Sequence, residues 1–265
     1  MTAECAAASP ESSVLELRIE DAGVDGCMAH VTALPGLCFR ARTVGDLMKA
    51  APARIEEYAR WLEAERLCDL TSATRKLTQQ VDTGEGIHSR IVVSERVAGA
   101  PVWESGNAAV LFDHDLRPLP DDDVRAHLRF VRRALGWIRE AVEPLSLEAR
   151  RRRPAPDRRS IDETLEHVGN CVWWYGSRID DDLPEPEEFP DEDPLDRIDR
   201  LFESAEAFLL AVSDSARATI HVPKRFPTYD PAERWTHTKV CRRQAEHAWA
   251  HLCGLKQQLP GIRKE

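Results

Sequence analysis

From residue 121 onward apolar residues return at steps of three and four through four separate stretches, and no other feature of the chain restricts its fold as tightly. The first stretch, from Asp121 to Glu143, carries Val124, Leu128, Val131, Leu135, Ile138 and Val142. The second starts behind Ser160 and Glu163, a Ser-x-x-Glu capping box, with Ile161, Leu165, Val168, Val172, Tyr175 and Ile179 as its stripe. The third has Asp193 as cap and Pro194 in its first turn, then Ile198, Leu201, Phe202, Ala205, Phe208, Leu209 and Val212. The fourth is expected to begin at Asp230, with Pro231 next and Glu233 closing a box, and to end before Pro260. Helices with one apolar face each must bury those faces against one another, which predicts a helical bundle. About fifteen residues separate the first two helices, long enough for a crossover connection.

The N-terminal part reads differently. Residues 1–12 are small and polar and read as a flexible tail. "VLELRI" and "CMAHVTAL" alternate apolar and polar residues around the turn-rich "DAGVDG", the pattern of a hairpin of half-buried strands. Thr43, with Asp46 three residues later, caps a helix expected to be kinked or broken at Pro52. Residues 66–85 show no clear pattern, and "SRIVVSERV", "APVWES" and "AAVLFDHD" return to strand-like runs. The fold class expected is therefore α+β: a tail at 1–12, a small α+β domain at 13–118 and an all-α four-helix bundle at 119–265.

Composition narrows the function classes. No run of about 18 apolar residues exists to span a bilayer, and the first twenty residues lack the basic start and apolar centre of a signal peptide. A cytoplasmic protein with no membrane partner is expected. A net charge of −10 disfavours sequence-independent nucleic-acid binding, and seven singly scattered cysteines read as reduced thiols. No P-loop, dinucleotide fingerprint, GxSxG elbow or HExxH is present.

His247 and His251, four residues apart in the last helix, project from one side of it, so both imidazoles can reach one cation. Taken alone, such a pair is more often a packed or surface feature than a metal site. At about 100° per residue they fall to one side of the stripe formed by Cys241, Ala245, Ala248, Leu252 and Leu259, on a flank that lines a groove between helices. His167 lies on a similar flank of the second helix, beside Thr164, Cys171 and Trp174. Three histidines from two helices can fill three corners of a tetrahedron and leave the fourth for a substrate. Cys171 is open to three readings, a fourth ligand, a substrate-side thiol or a small buried hydrophobe, and the last is preferred. His237 is almost three turns from His247, and His30, His88, His114, His127 and His221 have no spacing partner and read as ordinary.

Two stretches carry a resemblance. "RRSIDETLEHVGNCVWWYGSRI" and "AERWTHTKVCRRQAEHAWAHLCGL" resemble the second and last helices of the DinB-like (DinB/YfiT-type) superfamily of four-helix bundles. Arg159 stands where that family commonly has Trp. The resemblance implies a divalent metal ion, Zn²⁺ first with Ni²⁺ or another divalent ion as substitutes, held by His167, His247 and His251. It also implies metal-dependent hydrolysis or low-molecular-weight-thiol transfer, with a small-molecule or thiol substrate, and pairing as a homodimer. No general base is identified: Glu163 and Glu166 are near His167 in sequence, but Glu166 projects toward solvent. The segment "LELRIEDAGVDGCMAHVTALPGLCFRARTVGDLMKAAPARIEEYARWLEA", with its Leu34-Pro35-Gly36 turn, resembles a HicB-like fold. That resemblance implies the alternative function, a non-catalytic binding or stress-regulatory protein using this unit for partner interaction.

Two charged runs complete the reading. "RRRRPAPDRR" (150–159) could gather an anion but reads as a solvated connector, and "DDDLPEPEEFPDEDP" (180–194) reads as a loop that complements it, without calcium-loop spacing.

Overall fold

The alternation at the start of the chain places Leu15, Leu17 and Ile19 on the buried side of strand β1 (Val14–Asp21). In the computed structural model, which describes residues 14–82, 90–98, 110–225 and 233–262, β1 is an inner strand of a four-stranded sheet. Its partners are β2 (Cys27–His30), β3 (Cys38–Ala41) and β4 (Arg90–Ala98), in the order β3-β2-β1-β4. β1, β2 and β3 form an antiparallel meander, while β4 joins β1 in parallel. The parallel pairing requires a crossover, supplied by α1 (Val44–Ala64) and α2 (Ser72–Asp82). The expected tail at 1–12 and the run "APVWES" lie outside the described residues.

α1 runs through Pro52 without the break that is one of the two expected outcomes: the proline lies on its exposed side, where the carbonyl it leaves unbonded one turn earlier can turn to water. Two other local expectations are corrected. α2, absent from the sequence reading, exists because Thr71 and Thr74 cap each other reciprocally at 2.9 and 3.1 Å. Its buried face is made of Thr74, Leu77 and Thr78, a stripe too polar to register as hydrophobic periodicity. The described part of "AAVLFDHD", Val110–Asp115, is not a strand. Asp115 folds it into a turn, its backbone N–H donating to the Phe112 carbonyl at 2.9 Å and its carboxylate accepting from the Phe112 N–H at 3.0 Å.

The rest of the described chain is helical: α3 (Asp121–Val142), α4 (Leu147–Arg151), α5 (Ile161–Gly176), α6 (Pro194–Ala211), α7 (Asp214–Arg217) and α8 (His237–Ile262). α3 packs on α6 and α8, and α5 packs on the same two, so α3 and α5 stand at opposite corners of a four-helix bundle. The long connections containing α4 and α7 cross these diagonals, and the molecule is α+β as the sequence pattern predicts. α8 starts later than expected. Trp235 exchanges backbone hydrogen bonds with His221 at 2.7 and 2.9 Å, which keeps the chain extended there. Thr236 then accepts from the Lys239 N–H at 3.1 Å and donates to the Asp115 carbonyl at 2.6 Å, so the helix begins behind it and runs past Pro260.

The apolar core runs without a break from the sheet into the bundle. At its centre Tyr58 and Trp61 of α1 meet Phe130 of α3 and Trp249 of α8, with ring centroids 5.2–6.3 Å apart. The Tyr58 hydroxyl donates to the Pro35 carbonyl at 2.6 Å. The next residue, Gly36, has φ +84°, and a Cβ there would strike the Phe130 ring. Leu-Pro-Gly is therefore the turn by which the sheet docks on the bundle.

Candidate metal centre

α5 begins at the capping box read from the sequence: the Glu163 N–H donates to Ser160 Oγ at 3.2 Å and the Ser160 N–H to Glu163 Oε2 at 2.8 Å. Its stripe of Ile161, Leu165, Val168 and Val172 is buried, which leaves His167 half-buried on the edge facing α8. On α8, Cys241, Ala245, Ala248 and Leu252 occupy the core, and His247 and His251 sit half-buried beside them.

The structure brings all three predicted histidines together. His247 Nε2 lies 3.2 Å from His167 Nε2 and 3.0 Å from His251 Nε2, and the His167 and His251 ring centroids are 5.1 Å apart. Ligands about 2.0–2.1 Å from a tetrahedral ion are separated by about 3.3 Å, so these spacings fit the edges of such a site. Burial holds all three imidazoles toward the neutral form, His167 down to about 4, His251 to about 3 and His247 well below the ordinary range. The charges of Arg159 and Arg40 and the neighbouring rings push the same way. Neutral nitrogens at this spacing can share protons only pairwise. His247 Nε2 faces two partners at once, and a cation satisfies all three where hydrogen bonds cannot.

Cys171 belongs to this cluster. Its Sγ is 3.7 Å from His167 Nδ1 and 3.8 Å from His167 Nε2, and the ligand atoms of His167, Cys171 and His247 all lie within 4.8 Å of one another. The thiol is half-buried and packs against the edge of the apolar core, and burial pushes it up to about 11. His237 stays apart, Nε2 3.0 Å from the Leu209 carbonyl. Glu166 is exposed, and Glu163 is tied to Ser160 and Arg153, so neither acts on the cluster.

Behind the ligand helix lies a buried charge network that the histidine spacing did not reveal. His30, read as ordinary, is fully buried with Nε2 3.1 Å from Glu20 Oε1 and Nδ1 2.7 Å from Glu246 Oε1. Arg242 pairs bidentately with Asp115 at 2.7 and 2.8 Å and reaches Glu246 at 3.0 Å, and Arg243 reaches Glu246 at 3.1 Å. Three carboxylates (Glu20, Asp115, Glu246) then face three cations if His30 is an imidazolium. Burial opposes that charge, but Glu246 and Glu20 outweigh it and raise the His30 pKa. As an imidazolium His30 donates from Nδ1 to Glu246 Oε1, which Arg242 shares, and this explains why Arg242 Nη1 lies 3.2 Å from His30 Nδ1 without bonding to it. The signal was present in "CRRQAEH": Arg242, Arg243 and Glu246 interrupt a helix face that is otherwise buried.

The charged runs also find partners. Arg150 is buried against Asp162 at 2.7 Å and Asp193 at 2.9 Å, so the arginine run is anchored at its start rather than wholly solvated. The acidic run is matched chiefly by Arg197, Arg200 and Arg225.

A recess of about 100 Å³ opens beside His247 and His251, lined also by Met28, Arg40, Arg243, Glu246 and Ala250. Among the residues lining it, Glu246 is the sole carboxylate, and His30, Arg242 and Arg243 already hold it. Among the described residues no helix is long and apolar enough to cross a membrane.

Comparison with protein families matches residues 127–253 to the DinB superfamily, a span from α3 to α8 that includes the cluster and leaves out the sheet. No curated protein and no solved structure matches the chain.

Proposed function

From the DinB-superfamily domain at residues 127–253 we infer a metal-dependent enzyme of small-molecule chemistry, with a divalent ion on His167, His247 and His251. The observation that carries this reading is the meeting of the three imidazole nitrogens at 3.0 and 3.2 Å. An all-nitrogen, near-tetrahedral donor set with neutral imidazoles suits Zn²⁺ first and Ni²⁺ second. When bound, such an ion supplies Lewis-acid stabilisation of a substrate thiolate or oxygen.

Of the two reactions the resemblance implies, thiol transfer fits the surrounding residues better than hydrolysis. Hydrolysis calls for a base within hydrogen-bond reach of the attacking water, and the carboxylate of the recess, Glu246, is committed to three cations. A thiol, with an ordinary pKa of about 8.5, gives up its proton to solvent water far more readily than water does and so needs no protein base, and the recess beside His247 and His251 offers it a route in. The residues around it bind and orient: Tyr175 packs its ring edge-on to His247 at 5.8 Å, and the half-buried walls limit water.

The test starts with metal content of the untagged chain after metal-replete growth. About one equivalent is expected, and none in the His167, His247, His251 triple alanine variant. Less than about a tenth of an equivalent in the unsubstituted chain would leave a non-catalytic binding protein as the better reading. X-ray absorption on the zinc-loaded Cys171→Ser protein then separates the chemistries. A small thiol should add a sulfur neighbour at about 2.3 Å, and a spectrum unchanged by thiol would rule out the transferase.

A further inference from the structure

The recess beside His247 and His251 adjoins a larger cleft. A cavity of about 310 Å³ lies between β3, α1 and α8, and Met28, Arg40 and Ala250 line both it and the recess. Arg40, on β3, therefore stands at the junction, between the histidine cluster and a chamber walled by Phe39 and Trp249. Arg40 belongs to the sheet, outside the span matched to the family.

Exposed arginines such as Arg42, Arg117 and Arg159 have no ion pair among the described residues, but Arg40 is half-buried. Arg54 in the same chamber is paired to Glu57 at 2.9 Å, and Arg243 is paired to Glu246 at 3.1 Å. Among the described residues no carboxylate lies within ion-pair distance of Arg40, and its Nε is buried without a hydrogen-bond partner. The Nε of such a half-buried guanidinium has lost hydration without compensation, and an oxyanion can accept from it and from an Nη as paired N–H donors. A monocarboxylate matches the single unpaired charge. A phosphate would bring a second negative charge between Glu57 and Glu246, which line the two chambers.

We propose that Arg40 is the specificity-determining residue of this cleft, holding the carboxylate of a small organic substrate whose body lies against Phe39 and Trp249 and whose reactive end reaches the His247 and His251 side. The proposal deepens the metal-enzyme reading, which supplies the identity of the reactive end, but the Arg40 contact does not need the metal. A cavity of about 310 Å³ suits a substrate of roughly amino-acid to dipeptide size.

The probes are a panel of aromatic N-acyl amino acids, hippurate first, each with its neutral primary amide and a matching phosphonate. Each is titrated into the full chain with Trp249 fluorescence and calorimetry as readouts, on metal-free and zinc-loaded protein. Carboxylates are expected to bind about tenfold or more tightly than their amides and more tightly than the phosphonates. Arg40→Gln should erase that preference, and Arg40→Lys should keep part of it. Zinc content of both variants should equal that of the unsubstituted chain, which verifies that they fold. No binding across the panel, equal binding of acid and amide, tighter binding of the phosphonates, or a preference that survives Arg40→Gln would each overturn the proposal. Because the metal-free arm excludes direct coordination of the carboxylate, an Arg40-dependent preference there stands even if zinc never binds, and zinc binding without it sinks this proposal alone.

Discussion

His30 shows how a residue with no sequence partner acquires one. It has Glu20 on one ring nitrogen and Glu246 on the other, both buried. Its pKa is raised in the folded state, so its contribution to stability is complete below the unfolded value of about 6.5 and is lost as pH rises through the folded value. Histidine ring NMR should find His30 titrating above the ordinary imidazole value of about 6.5, and titration at or below it would refute this. His30→Ala should cost about 3–5 kcal/mol in urea unfolding, since it removes one cation from a buried network in which Glu20 and Glu246 face it. Gly36 makes a second prediction at this scale. Its positive φ and the Phe130 ring against it leave no room for a Cβ, so Gly36→Ala should destabilise by about 2–4 kcal/mol, and a change under about 0.5 would show the turn can move. Cys171 makes a third: with the nitrogens of His167, His247 and His251 as ligands, Cys171→Ala should retain full metal content, and its loss would make the thiol a ligand in place of one of them.

At the scale of elements, the metal reading depends on two helices keeping their register. α5 is fixed at its start by the Ser160 and Glu163 capping box, and Arg150 is held against Asp162 in its first turn. Ser160→Ala should lower stability by about 1 kcal/mol by thermal unfolding. The same change should weaken zinc affinity only slightly, because His167 lies two turns beyond the cap. The buried stripes of α3, α5 and α6 were legible because an amphipathic helix repeats its pattern within a single segment. α2 and the start of α8 were not. One is capped and packed by threonines, and the other is delayed by a bridge from Trp235 to His221, a partner whose proximity only folding reveals.

Across the whole molecule the sheet and bundle share one core and one charge network. Glu20 and His30 come from the sheet, Asp115 from the connecting turn, and Arg242, Arg243 and Glu246 from α8. We expect the protein to unfold in one calorimetric transition, with equal calorimetric and van't Hoff enthalpies; two separated transitions would show that the sheet folds independently. The network ends one residue before His247, so the sheet sets the position of the ligand helix as well as covering it.

The amino-acid sequence by itself determined the helical stripes, their caps and the flank on which His167, His247 and His251 stand, because these depend on residues within one or two turns of each other. Tertiary structure decided which charges are buried and which remain unpaired. His30 meets Glu246 across 216 residues and Arg242 meets Asp115 across 127, and no local pattern encodes such pairings. Arg40 differs from Arg54 and Arg243, the other arginines of its cleft, for the same reason. Whether a guanidinium finds a carboxylate depends on which elements pack beside it, and β3 is packed against α8 where none is available.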